Sequence, residues 1–154
     1  MKIVGFKHAA ALASCLCLLT AGTAKAELLR KESPYPVKTT IDRFESILKE
    51  KGFTIFARVD HSAGAKSVNQ ELRPTELIIF GNPAGGTPLI QAEQSVGLSL
   101  PLRALAWQDE TGKVWLGYDA VAEMIAVRGV AKDHPAIAKT GDALKALTDA
   151  AVKN

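Results

Sequence analysis

The spacing of apolar residues changes several times along the chain, and each spacing indicates a different element. Four apolar residues recur at the spacing of one helix face: Ile41, Phe44, Ile47 and Leu48. They predict a helix that Thr39 caps, with Asp42 in the capping-box position, and that Gly52 ends. Residues 28–33 precede this helix and are predicted to form a first strand.

From residue 53 to residue 60 the spacing changes to two, which is typical of a half-buried strand. One face of this predicted strand carries only apolar residues: Phe53, Ile55, Ala57 and Val59. The small residues at 62–68 then predict a short helix or turn. Residues 75–80 end in an apolar run without alternation, which is typical of an interior strand.

The segment after this interior strand, Gly-Asn-Pro-Ala-Gly-Gly at residues 81–86, is predicted to form a loop. Thr87 and Pro88 follow as the predicted cap and first helical residue of a helix that runs to about Ser95. Residues 102–108 and 113–118 then read as two strands. The short turn between them contains Gly112, so an antiparallel hairpin is predicted.

Two helices are predicted after the hairpin. Asp119 caps the first, which ends at Gly129, and Asp133 caps the second, which covers residues 135–152. Helices and strands interleave along the chain, yet two neighbouring strands form a hairpin. The predicted fold class is therefore α+β, with a mixed or mostly antiparallel sheet and helices packed on it.

Residues 1–26 have the pattern of a cleaved secretory signal peptide. Lys2 and Lys7 charge the start, residues 9–21 are apolar, and Ala24-Lys25-Ala26 is an A-x-A cleavage site. We therefore expect a periplasmic or secreted product, a single domain over residues 27–154, and no transmembrane segment. The alternative is a lipoprotein in which Cys15 carries the lipid.

Removal of the leader changes both the charge and the cysteine content. The leader contains three of the 19 basic residues and none of the 16 acidic ones, so the formal charge of +3 disappears with it. A neutral product argues against nucleic acid as a partner, because a phosphate-binding groove needs surplus positive charge. Both cysteines, Cys15 and Cys17, also lie in the leader, so neither a disulfide nor a cysteine metal site is expected.

Six segments resemble, in order and spacing, the bacterial family catalogued as domain of unknown function 302. They are Val59-Asp60-His61-Ser62-Ala63-Gly64-Ala65, Leu72-Arg73-Pro74-Thr75-Glu76-Leu77, Phe80-Gly81-Asn82-Pro83, Gly86-Thr87-Pro88-Leu89, Leu100-Pro101-Leu102 and Val114-Trp115-Leu116-Gly117-Tyr118. The resemblance runs over about residues 33–129, with the last helix outside it. It implies a compact α+β domain of the TATA-box-protein-like type and a possible homodimer, and it brings no established activity.

Asp60 and His61, at the end of the second predicted strand, are the first candidates for chemistry. A carboxylate there could orient an imidazole for acid–base catalysis or bind a ligand. Adjacent strand residues point to opposite faces, however, and aspartate is a preferred helix cap, so a structural role for both residues is the competing interpretation. Asn82, after the third strand, is the further candidate ligand-binding residue.

Other candidates have simpler structural interpretations. The glycine-bearing loop before Thr87 could hold an anion on its backbone N–H groups, but it lacks the phosphate-binding fingerprints and also fits a plain turn. Arg73 is expected to pair with a carboxylate. Trp107 and Trp115 are expected to pack across the hairpin, and the alternative is that they stack on a ligand or on a second subunit. After cleavage only His61 and His134 remain as histidines, so no metal and no cofactor is predicted.

These observations favour an exported domain that binds a small ligand or a protein partner. The alternative is a small periplasmic enzyme in which His61 acts as general acid or base. Geometry separates the two, because catalysis by this pair requires both side chains within hydrogen-bonding reach.

Overall fold

The computed structural model describes residues 27–154. The predicted signal peptide, its cleavage site and Cys15 lie outside these described residues.

Five strands form one antiparallel sheet with the order β1-β5-β4-β3-β2. Their bounds are β1 Leu28–Ser33, β2 Thr54–Asp60, β3 Thr75–Gly81, β4 Leu102–Gln108 and β5 Val114–Asp119. Every neighbouring pair is antiparallel, and β4 and β5 form the predicted hairpin. The α+β fold class is confirmed, and the sheet is antiparallel throughout.

Five α-helices connect or follow these strands. Their bounds are α1 Val37–Glu50, α2 His61–Ser67, α3 Pro83–Ala92, α4 Val121–Ala126 and α5 Pro135–Val152, and a 3-10 helix covers Gln94–Leu98. No helix in the described part of the chain combines the length and the apolar character needed to cross a bilayer.

The core lies between α1 and the middle of the sheet. Phe44 of α1 and Phe80 of β3 are fully buried and meet edge to face, with ring centroids 5.3 Å apart. Ile41 and Leu48 lie on the same helix face and are also fully buried. The helical spacing of the sequence therefore predicted the correct buried face of α1.

The last helix, α5, packs beside α1 and reaches β1. Lys31 of β1 donates to the hydroxyl of Thr148 at 2.9 Å and forms an ion pair with Asp149. Leu144 and Leu147 of the same helix are buried. Residues of α5 thereby complete the core.

The predicted caps of α1, α4 and α5, which were Thr39, Asp119 and Asp133, are wrong. Thr39 lies inside α1, which begins at Val37. Asp119 is the last residue of β5, so α4 begins later and has no side-chain cap. At α5 the cap is His134, whose Nδ1 accepts a hydrogen bond from Ala136 N–H at 3.3 Å.

The predicted alternation of β2 is wrong beyond its first residues, because a bulge interrupts the strand. Ile55 pairs with Phe80 and Ala57 pairs with Ile79, so Phe56 has no partner in the ladder. An extra residue shifts every later side chain to the other face. Arg58 therefore faces α1, and Val59 lies on the opposite face with 38% of its surface exposed.

The shifted Arg58 is the centre of an ion-pair cluster between α1 and the sheet. Its guanidinium donates to Asp42 at 2.7 Å and to Glu45 at 2.8 Å, both on α1, and to Glu76 of β3 at 2.7 Å. Three carboxylates thus converge on one partly buried cation. Removing the cation would leave three like charges close together.

We expect Arg58→Gln to lower the free energy of unfolding at neutral pH by about 2 kcal/mol, since hydrogen bonds to charged groups are lost. Lys38 and Arg58 lower the pKa of Asp42. Lys49 and Arg58 lower the pKa of Glu45. Lowered carboxyl pKa values stabilise the fold above the ordinary value of about 4, and this contribution is lost as pH falls below it.

Urea unfolding between about pH 7 and pH 3 measures both effects, and Arg58→Gln should flatten the acid loss of stability. The control is Lys113→Gln, which removes the exposed pair with Glu32 and a 6.0 Å cation–π contact with Trp115, and it should change little. Equal stability of Arg58→Gln and the wild type at neutral pH would contradict the role of this cluster.

Candidate functional site

Asp60 is the last residue of β2 and the cap of α2. Its carboxylate accepts hydrogen bonds from the Ser62 hydroxyl and, at 2.9 Å, from Ala63 N–H. These two hydrogen bonds lower the pKa of Asp60. The Asp60 carboxylate therefore acts as the N-cap of α2.

His61 is the exposed first residue of α2. Among the hydrogen bonds of residues 27–154, none joins His61 to Asp60. The structure therefore does not arrange the two as an acid–base pair.

Asn82 lies at the other end of the sheet from Asp60. In the antiparallel ladder of β2 and β3, Asp60 pairs with Glu76, whereas Thr54 pairs with Gly81. Six residues of extended chain separate the two ends by roughly 20 Å. Asp60 and Asn82 cannot contact the same small ligand.

The segment predicted as a loop at residues 81–86 is the end of β3 and the start of α3. Asn82 caps this helix by accepting from Ala84 N–H at 2.9 Å, and Thr87 and Pro88 lie inside the helix. Gly85 N–H and Gly86 N–H both donate to the Asn82 carbonyl at 3.0 Å. These N–H groups are already used, so the start of α3 is not available as an anion site.

A cavity of about 480 Å³ lies between α3, α5 and the adjacent end of the sheet. Its lining is mostly apolar and comes from five regions of the chain. These are residues 53 and 56, residues 80–87 with 89 and 90, residue 97 with 100–102, residues 139 and 140, and residues 143, 144 and 147. Concave apolar sites of this size are typical of small-ligand binding. Asn82 is the one predicted site residue that lines it.

Glycine keeps part of this cavity open. A Cβ atom added at Gly85 or Gly97 would meet no atom within 4 Å, and one at Gly86 would lie 3.4 Å from Leu100 Cδ1. Larger side chains at these three positions would extend into space that is open beside the glycines. The cluster of small residues at 84–86 was the sequence signal for the cavity.

Lys139 is the one charged residue in the cavity lining, as far as residues 27–154 define it. The uncharged polar side chains in the lining are those of Asn82, Thr87 and Thr140. No group of three or more histidine and acidic side chains within the described ranges could hold a metal ion.

The two tryptophans lie on the sheet face opposite α1. Trp107 and Trp115 are direct cross-strand neighbours, as predicted. The ring of Trp107 lies over Gly117, where an added Cβ would be only 2.8 Å from the ring. Arg30 lies over the Trp115 ring, 4.5 Å from its centroid.

The turn of the hairpin holds Trp115 in place. Asp109 accepts from Thr111 N–H, from Lys113 N–H and, at 2.7 Å, from Trp115 Nε1. The bonds from Trp115 and Thr111 lower the pKa of Asp109 to about 2.

Arg73, expected to pair with a carboxylate, instead donates to the Gln108 carbonyl at 3.1 Å, so that prediction is wrong.

A single antiparallel sheet with helices packed on it and an apolar cavity at one end define residues 27–154 as a small α+β unit. The family profile of "Domain of unknown function DUF302" matches residues 29–153. The chain belongs to this family. The match includes α5, so it is wider than the segments that carried the resemblance.

One solved structure supports the same fold. It is the crystal structure of an uncharacterized conserved DUF302 protein from Bacillus stearothermophilus, with a TM-score of 0.66 and 17% sequence identity. The similarity covers 81% of this chain and 94% of that one. At this identity the likeness shows the fold alone.

Curated relatives share a more similar segment. Fluoride-specific ion channel FluC 1 of Brucella suis is 54% identical over 89 residues, which are 58% of this chain and 35% of that protein. FluC 1 of Brucella abortus and FluC 2 of Brucella melitensis have the same identity, with 33% of each protein covered. The chain spans about one third of the length of these relatives.

We expect Asp60→Ala to lower the melting temperature, because it removes the cap of α2, and Asp60→Ser to keep it near the wild-type value. His61→Gln should change it little, since His61 is exposed. Thermal melts followed by circular dichroism measure all three variants. A large loss of stability in His61→Gln, or none in Asp60→Ala, would contradict this assignment.

Proposed function

We propose that this protein is an exported domain that binds a small apolar ligand in the cavity between α3 and α5. The cavity carries the proposal: it has about 480 Å³ of space, a mostly apolar lining and a mouth kept open by small residues. Burial of apolar ligand surface in such a site is favourable by about 25 cal/mol per Å².

Export is supported by the leader pattern of residues 1–26. The Brucella relatives are named as ion channels, and this chain covers only a third of them. We propose that the shared segment is a domain that accompanies the channel part of those relatives.

The geometry gives less support to the enzyme alternative. General acid–base catalysis by His61 would need an orienting partner and a cleft. Asp60 instead caps α2, and neither residue lines the cavity. A role of Asp60 and His61 in binding remains a prediction, and it would concern a second surface at the opposite end of the sheet.

The sheet face opposite α1 supports pairing with a second copy of the chain. Leu28 and Val59, on its two edge strands, are 53% and 38% exposed. Arg103 and Asp119 lie on the same face and form no ion pair with each other within residues 27–154. A two-fold axis would let Arg103 of each copy pair with Asp119 of the other.

Ala143→Phe is expected to weaken binding of the neutral apolar dye Nile red at least tenfold, because the ring would occupy the cavity that Ala143 lines. Titration of the dye fluorescence measures this. The control is Ala146→Phe, an exposed position on the same helix outside the cavity lining, which should bind as the wild type does. Absence of saturable binding to the wild type, or equal binding by both variants, would refute the proposal.

Native mass spectrometry of protein purified from its own periplasm tests export and pairing together. The expected mass is that of a chain beginning at Glu27, doubled in the dimer, with extra mass where a ligand is retained. A chain that still begins at Met1, or one lipidated at Cys15, would contradict cleavage after Ala26.

A further inference from the structure

The polar groups around the cavity limit where the polar part of a ligand can bind. The Asn82 side-chain oxygen is used by Ala84 N–H, and the N–H groups of Gly85 and Gly86 are used by the Asn82 carbonyl. The start of α3 still offers a ligand the Asn82 side-chain NH2 and the Thr87 hydroxyl, and both groups are uncharged. A charge on the ligand would therefore have to be balanced from the α5 side of the cavity.

On that side Lys139 and Thr140 are adjacent in the cavity lining. Among the ion pairs of residues 27–154 none involves Lys139, whereas Lys145 on the same helix pairs with Asp149. No carboxylate lines the cavity within the described residues. Lys139 is exposed, so its attraction for an anion is that of a surface cation, but among residues 27–154 it is the one charge along an otherwise uncharged lining.

The remaining lining determines the rest of the ligand. Phe80 and Leu102 of the sheet and Leu144 and Leu147 of α5 form apolar walls. A space of about 480 Å³ lies in the lower half of the range for small-ligand sites, which suits one hydrocarbon chain better than a two-chain membrane lipid.

We infer that the ligand is a single-chain amphiphile with an anionic head group, and that Lys139 binds the head while the chain lies between α3 and α5. This inference rests on the proposed ligand-binding function and adds the chemical class of the ligand. Thr140 lies next to Lys139 and can donate a hydrogen bond to the same head group.

Displacement of Nile red by decanoate and by decanol tests the inference, because the two compounds share the chain and differ in charge at neutral pH. Lys139→Gln is expected to weaken decanoate binding about threefold to fivefold, the upper part of the range for an exposed ion pair, and to leave decanol binding unchanged. Lys66→Gln, an exposed lysine of α2 outside the cavity lining, should change neither.

The outcomes distinguish a failure of ligand binding from a failure of the anionic head group. If the wild type does not bind Nile red, the ligand-binding function itself fails. If it binds the dye but Lys139→Gln changes decanoate and decanol binding equally, or changes neither, only the anionic head group is wrong. Co-sedimentation of the protein with phosphatidylglycerol vesicles, without displacement of the dye by free decanoate, would also overturn the inference in favour of a membrane lipid.

Discussion

Phe44 and Phe80 meet edge to face with both side chains fully buried, and their contact joins α1 to β3 in the middle of the sheet. The position of α1 then determines where α5 lies, because α5 packs beside α1 and its Thr148 accepts a hydrogen bond from Lys31 of β1. Since α5 forms one wall of the cavity, the aromatic contact in the core also decides where a ligand could bind.

Hydrogen bonds within the protein use the buried polar side chains. Within residues 27–154 every buried side-chain nitrogen or oxygen has a hydrogen-bond partner. Backbone N–H groups at the start of α3 are likewise bonded to Asn82. If the cavity binds a ligand as proposed, discrimination between ligands rests on cavity shape and on rim groups such as Lys139.

Helix and strand positions followed from local rules, because periodicity and turn chemistry act over a few residues. The face of α1, the hairpin around Gly112 and the bounds of α5 agree with those rules. The caps did not follow, because several residues near each helix start can cap. Asp133 and His134 are neighbours, and only the path of the chain into α5 selects the histidine. Likewise Asn82 begins α3 before Thr87 can.

The sequence by itself determined the α+β class, the hairpin and the family, because each depends on patterns that short segments carry. Only the tertiary structure decided the bulge at Phe56 and the cavity. The bulge depends on the register between β2 and β3, and it sends Arg58 toward α1. The cavity depends on how closely α3 approaches α5, and its lining comes from residues between 53 and 147. Side chains so far apart in sequence are brought together by packing of the whole domain, to which local periodicity is insensitive.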